Sequence, residues 1–168
     1  MKGLVACTST WMTRRTCPQE IVKIIEAYSQ VVRNLNAHVH PDDHFPTGPS
    51  LYGKEALEPG VSLSDGAESL LNSVDESDKS PWILCWGGTN VLAQALKEAA
   101  KQPRKESARF RSKLRVYSIS DQDDTGAWIR LKFPDVFYIN SVHGWNQCGM
   151  AAWTGISGDT KEVQTSRK

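Results

Sequence analysis

The stretch Pro81–Ala99 constrains the fold of this chain more than any other. It reads Pro-Trp-Ile-Leu-Cys-Trp-Gly-Gly-Thr-Asn-Val-Leu-Ala-Gln-Ala-Leu-Lys-Glu-Ala. Trp82 to Trp86 is a continuous apolar run, the pattern of a strand buried on both faces. Gly87-Gly88 supplies a turn, since glycine visits positive φ freely. Thr89 or Asn90 then caps a helix whose apolar positions Val91, Leu92, Ala95, Leu96 and Ala99 fall at helical intervals. Strand, glycine turn and capped helix form the unit from which parallel α/β sheets are built, and ligands of such sheets sit at the turns that follow the strands.

Further units lie on either side. Gly3–Cys7, Leu114–Ile119 and Val136–Ile139 read as strands. Thr16-Cys17-Pro18-Gln19 starts a helix, with proline in its first turn. Ile21, Ile24, Ile25, Tyr28 and Val32 follow at intervals that turn them toward the sheet. Ser62–Asp75 is a short helix, capped by Ser62 or Ser64, with Leu70, Leu71 and Val74 inward. Arg104–Lys113 is a charged helix. Thr125–Phe133 places Trp128 and Ile129 inward and is stopped by Pro134. Four strands alternating with helices predict an α/β fold, a mainly parallel sheet with flanking helices and right-handed crossovers. Residues 1–159 read as one domain and 160–168 as a loose polar tail.

Composition narrows the function classes. The 168 residues carry a formal net charge of +1, so no global field draws the chain to nucleic acid or to an anionic membrane. The basic run Lys101, Arg104, Lys105, Arg109, Arg111, Lys113 and Arg115 has few neighbouring aromatics for base stacking and reads as a solvated helix face. No apolar run reaches the ~20 residues of a membrane span. The start is too soon polar for a secretory signal, which makes a cytoplasmic location the default expectation. Cys7, Cys17, Cys85 and Cys148 are widely spaced; Cys7 and Cys85, inside apolar runs, read as buried thiols.

The four strand ends of a parallel sheet lie along one edge. That edge gathers Thr8, Ser9 and Trp11, then Trp86, Gly87, Thr89 and Asn90, then Asp121, Asp123 and Asp124, then His143, Trp145 and Asn146. Hydroxyls, amides and indoles on one rim suit a sugar, whose hydroxyls take hydrogen bonds and whose ring packs on an aromatic face. Thr8, Trp11, Trp86, Thr89, Asn90, His143, Trp145 and Asn146 are therefore the candidate substrate-binding residues. Three carboxylates in four residues repel unless a cation or hydrogen bonds hold them. Asp121, Asp123 and Asp124 either bind Ca²⁺ or Mg²⁺, or Asp123 or Asp124 caps the following helix while Asp121 faces water. His38, His40, Asp42, Asp43 and His44 lie in the irregular stretch Asn34–Gly60, where a polar surface is preferred to a metal site because no spacing fixes them on one face. No catalytic residue is assigned; phosphate-loop and serine-hydrolase motifs are absent.

Gly3-Leu-Val-Ala, the segment Trp82–Leu96, Lys113-Leu-Arg-Val-Tyr-Ser-Ile-Ser-Asp-Gln-Asp-Asp-Thr-Gly-Ala-Trp-Ile-Arg, and Trp153-Thr-Gly-Ile-Ser-Gly-Asp resemble the nucleoside-hydrolase-like domain of a cellulose-binding family. The resemblance runs over most of Gly3–Asp159. The Gly-Gly-Thr-Asn turn is more distantly similar to the Pro-Leu-Thr-Asn turn of inosine-uridine nucleoside hydrolases. The resemblance implies hydrolysis of N-glycosyl bonds of ribonucleosides, with Ca²⁺ as the metal. It also implies that the family's first strand, with its aspartate cluster, and its C-terminal part are not in this sequence. The expectation is an incomplete copy with weak or no activity. The alternative is a non-catalytic carbohydrate-binding module for cellulose. The partner in either case is a sugar, a nucleoside or a polysaccharide, and related members are expected to be secreted.

Overall fold

Leu4–Ala6 forms strand β1, and its polypeptide soon enters helix α1, Pro18–Asn36. In the computed structural model residues 3–8, 16–47, 53–55, 63–76 and 78–142 are described, with the backbone alone at 53–55. Pro18 occupies the first turn of α1, where its missing N–H costs nothing. Ile21, Ile25, Tyr28 and Val32 form the inward stripe. Ile24 is a correction: it lies about 60° off that stripe, at about 100° per residue, and is 66% exposed. The helix clasps the segment after it. The Asn36 amide donates to the Phe45 carbonyl and accepts from the Phe45 N–H, and the Tyr28 hydroxyl donates to the Pro46 carbonyl at 2.6 Å.

Inside Asn34–Gly60, read from sequence as irregular, lies strand β2, Gly53–Glu55. It pairs in parallel with β1, Leu4 opposite Gly53 and Ala6 opposite Glu55. Three residues with a glycine and two charges carry no strand periodicity, so the pairing comes from tertiary context. His38, His40, Asp42 and Asp43 flank or form a short 3₁₀ turn, Pro41–Asp43, with the His40 ring accepting from the Asp42 N–H. These side chains are exposed and do not converge.

The second sheet is β3 (Trp82–Cys85), β4 (Arg115–Ser118) and β5 (Phe137–Asn140), all parallel in the order β3-β4-β5. Helices α2 (Asp65–Asp75), α3 (Asn90–Ala99), α4 (Arg104–Lys113) and α5 (Thr125–Lys132) complete the described chain. Ser64 caps α2 by accepting from the Ala67 N–H, and its hydroxyl meets Gln94 of α3 at 2.6 Å. The core joins Val74, Leu92, Leu96, Phe110, Leu114, Val116, Ile129 and Val136, with Ile83, Cys85 and Tyr138 packed against it.

That packing overturns one expectation. Strand β3 is buried on one face only: Ile83 and Cys85 turn inward, whereas Trp82 and Leu84 are 56% and 58% exposed. The basic run is solvated at Lys101, Arg104, Lys105 and Arg109, whereas Arg111, Lys113 and Arg115 are half-buried. Arg111 pairs with Asp135 and lies over the Phe133 ring, Arg109 approaches Asp78, and Lys113 donates to the Val74 carbonyl.

Candidate functional site

The site is built where the strands end. Past β1, the Thr8 carbonyl accepts from the Gly88 N–H at 2.9 Å. This is the one backbone hydrogen bond between the two sheets among the described residues. Neither Gly87 nor Gly88 adopts a left-handed φ, so the glycine pair is needed for close approach rather than for turn geometry. A Cβ on Gly88 would fall 2.1 Å from Asp123 Oδ2 and 2.5 Å from the Thr8 carbonyl, and one on Gly87 would fall 2.8 Å from the Cys7 sulfur.

Thr89 and Asn90 follow at the start of α3. The Asn90 amide donates to the Thr8 hydroxyl at 2.8 Å, while its own oxygen accepts from the Val91 N–H. A hydroxyl that accepts from Asn90 keeps its proton to donate outward. The Thr89 hydroxyl lies 2.8 Å from that of Thr125 and 3.4 Å from Asp123 Oδ1. Thr89 holds the N-cap position without a side-chain cap hydrogen bond, because its hydroxyl is engaged across the rim.

The three aspartates take separate roles. Asp121 forms a two-pronged pair with Arg130, at 2.8 and 2.7 Å, and also accepts from the Asn140 amide. The Arg130 guanidinium stacks over the Tyr138 ring, and the hydrogen bonds to Asp121 raise the Arg130 pKa further above its ordinary value. Asp123 Oδ1 accepts from the Thr125 N–H and hydroxyl, the turn that starts α5. Asp123 Oδ2 is buried against Gly88 without a hydrogen-bond partner. Asp124 is exposed at the N-cap of α5 and makes no side-chain cap bond. A Ca²⁺ ion takes six to eight oxygens. Here both oxygens of Asp121 are held by Arg130, and no group of three metal-ligating side chains converges among the described residues. The donor set among the described residues does not fit the ion, and no step below is routed through one.

Residues that the sequence did not single out tie the rim together. Gln122, 3% exposed, donates to the Trp86 and Ile119 carbonyls at 2.8 and 3.0 Å. Ser118 donates to Asn140, and the Ser141 N–H to the Ser118 carbonyl. Ser120 carries the positive φ, 62°, that a non-glycine residue rarely adopts, and its N–H is held by the Ser141 carbonyl. The only signal for these was their place in Ser-Ile-Ser-Asp-Gln-Asp-Asp, where the carboxylates drew attention from the amide between them.

Thr8, Thr89, Asn90 and Asp123 are thus brought together, and Trp86, just before the glycine pair, is 63% exposed. Trp11, His143, Trp145 and Asn146 lie outside the described residues. A cleft between α2, α3 and α4, lined by Leu71, Glu98, Phe110 and Lys113, opens at the far end of α3.

Two thiols sit beneath the glycine turn. Burial and then the Asp123 carboxylate raise Cys7, and Cys85 is pushed up to about 12 by burial, then by Cys7 and Asp123. An unfolded thiol ionises near 9.0 while the folded one keeps its proton, so rising pH favours the unfolded chain. Stability contributed by the protonated thiols is complete below about pH 9 and is lost as the pH climbs toward 12. Urea midpoints are expected to fall over that range, and to fall less in Cys85→Ala.

Over residues 1–168 the chain matches the family described as cellulose-binding Sde182, nucleoside hydrolase-like domain. It is similar, at 30% identity and a TM-score of 0.74, to a solved nucleoside hydrolase-related hypothetical protein from Saccharophagus degradans that is associated with carbohydrate metabolism. The match covers 83% of this chain and 36% of that one, so the chain spans about a third of the relative's length. No curated protein matches the sequence.

Proposed function

Because the chain belongs to the nucleoside hydrolase-like domain family of cellulose-binding Sde182, we propose that its strand-end rim binds a saccharide without hydrolysing it. One observation carries the reading: the rim offers an oriented hydroxyl and amide at Thr8 and Asn90, with the exposed Trp86 next to the glycine pair in sequence, while Asp121 is paired with Arg130 and Asp123 Oδ1 with Thr125. Sugar hydroxyls both donate and accept, which matches a hydroxyl and an amide held at 2.8 Å from each other. The apolar face of the ring matches the indole.

Glycosyl transfer to water calls for a pair of working carboxylates or a metal-held water. Asp121 is neutralised by Arg130, and Asp123 is turned inward against Gly88. Neither is placed to activate water. Membership of a cellulose-binding family supports saccharide recognition, and the α/β architecture supplies the rim.

The test is calorimetry of the full chain with cello-oligosaccharides and with inosine, alongside a reducing-sugar assay of inosine hydrolysis. Heat with the oligosaccharides, lowered about tenfold in Asn90→Ala, and no ribose release are expected. Ribose release abolished in Asp123→Asn, or no heat with any sugar, would overturn the reading.

A further inference from the structure

The rim makes no use of the two thiols beneath the glycine turn. Cys7 directly follows β1, and Cys85 is the last residue of β3, so the pair belongs to two different sheets. Both thiols are free and half-buried. The Cys7 sulfur rests over the turn: a Cβ on Gly87 would fall 2.8 Å from it. Glycine at 87 is what lets the sulfur come that far toward β3. Gly87 lies two residues beyond Cys85, so their Cα atoms are at most about 7 Å apart. Disulfides span Cα separations of roughly 4–7 Å. Cys85 turns inward from β3, and a charge on Cys7 would raise it further, so the two sulfurs lie within electrostatic reach of each other.

We infer that Cys7 and Cys85 are the site of a disulfide that pins the two sheets together, closed by a small-molecule disulfide as oxidant. The inference does not depend on what the rim binds. Cys7 is the attacking group. Burial and the Asp123 carboxylate disfavour its thiolate, but hydrogen bonds from the Gly87 and Gly88 backbone favour it, whereas every neighbour of Cys85 disfavours ionisation. The Cys7 thiolate attacks one sulfur of the oxidant, forms a mixed disulfide and expels a small thiolate, which takes up the proton that Cys7 lost. Cys85 then gives up its proton and attacks the Cys7 sulfur. The Cys7–Cys85 bond forms and the second small thiol leaves. Two protein thiols lose two electrons, and one small disulfide is reduced to two thiols. Among the described residues a single backbone hydrogen bond joins the sheets. A covalent bond at the same place closes a loop of about 80 residues, long enough to restrict the unfolded chain strongly.

The full chain, purified reduced, is incubated with oxidised glutathione at about pH 8.5, where ordinary thiols are half ionised. It is then quenched, alkylated and digested with trypsin. The peptide Gly3–Arg14 is expected to be joined to Ser80–Lys97. The bridged chain should melt roughly 10 °C above the reduced one, and dithiothreitol should reverse the gain. Cys85→Ala is expected to stop at a glutathione adduct on Cys7 with no rise in melting temperature, and Cys17→Ser to bridge as the wild type does. A wild-type Cys7 adduct that never resolves, a bond from Cys7 to Cys17 or Cys148, or Cys7 and Cys85 both left unmodified would overturn the inference. So would a bridged chain that melts no higher than the reduced one.

Discussion

Gly88→Ala is expected to lower stability by roughly 3 kcal/mol, although it adds one methyl group. The methyl has nowhere to go. It would meet Asp123 Oδ2 at 2.1 Å and the Thr8 carbonyl at 2.5 Å. The carboxylate is a poor candidate to yield, because its other oxygen is fixed by the Thr125 N–H and hydroxyl. The carbonyl is backbone, and it accepts the Gly88 N–H that links the two sheets. Relief therefore requires breaking that link, and a buried donor then loses its partner. At about 2–4 °C per kcal/mol for a chain of this size, the melting temperature should fall by roughly 10 °C. A second readout is saccharide binding, which should weaken with it, since Thr8 and Asn90 meet across the same junction. Asp123→Ala in the Gly88→Ala background should recover part of the loss. A Gly88→Ala chain that melts within a degree or two of wild type would refute the account.

Ile129→Ala should cost about 3–4 kcal/mol, within the range found when a fully buried isoleucine is truncated. Ile129 is 0% exposed on the inward side of α5 and belongs to the cluster with Leu92, Leu96, Val116 and Val136. Truncation removes the transfer term and leaves a cavity that rigid neighbours close only partly. Leu131, two residues on and 76% exposed, supplies the contrast: Leu131→Ala should change stability by less than about 0.5 kcal/mol. Denaturant midpoints with an unchanged slope would check both. Equal effects at 129 and 131 would mean that α5 does not pack as described.

The central unit was legible because three signals agreed over Pro81–Ala99: an apolar run, a glycine pair and a helical period. Leu114–Ile119, Val136–Ile139 and the four inward residues of α1 were legible for the same reason. Strand β2 was not, since Gly53-Lys54-Glu55 has neither apolar residues nor alternation, and only its partner β1 makes it a strand. The exposure of Trp82, Leu84 and Trp86 was also hidden. An apolar run tells that a strand avoids polar side chains, not how many of its faces are covered. At the rim, the sequence reading set Thr8, Thr89 and Asn90 on the edge of one sheet, whereas β1 and β3 belong to two sheets and Thr8 meets Gly88 and Asn90 across them. The aspartates were harder to read. Adjacent carboxylates look alike in sequence, yet Arg130, nine residues on from Asp121, takes one of them out of the solvent-facing set. Ser120 was equally opaque, because nothing about serine announces a left-handed backbone.

Thr8 is the fastening between the two sheets: its carbonyl grips Gly88 and its hydroxyl grips Asn90. Because both grips belong to one residue, they let go together, so prising the sheets apart and dismantling the rim are a single event. A guest that touched Thr8 on one side and the start of α3 on the other would act as a latch, turning occupancy into mechanical cohesion between halves that otherwise share little backbone bonding.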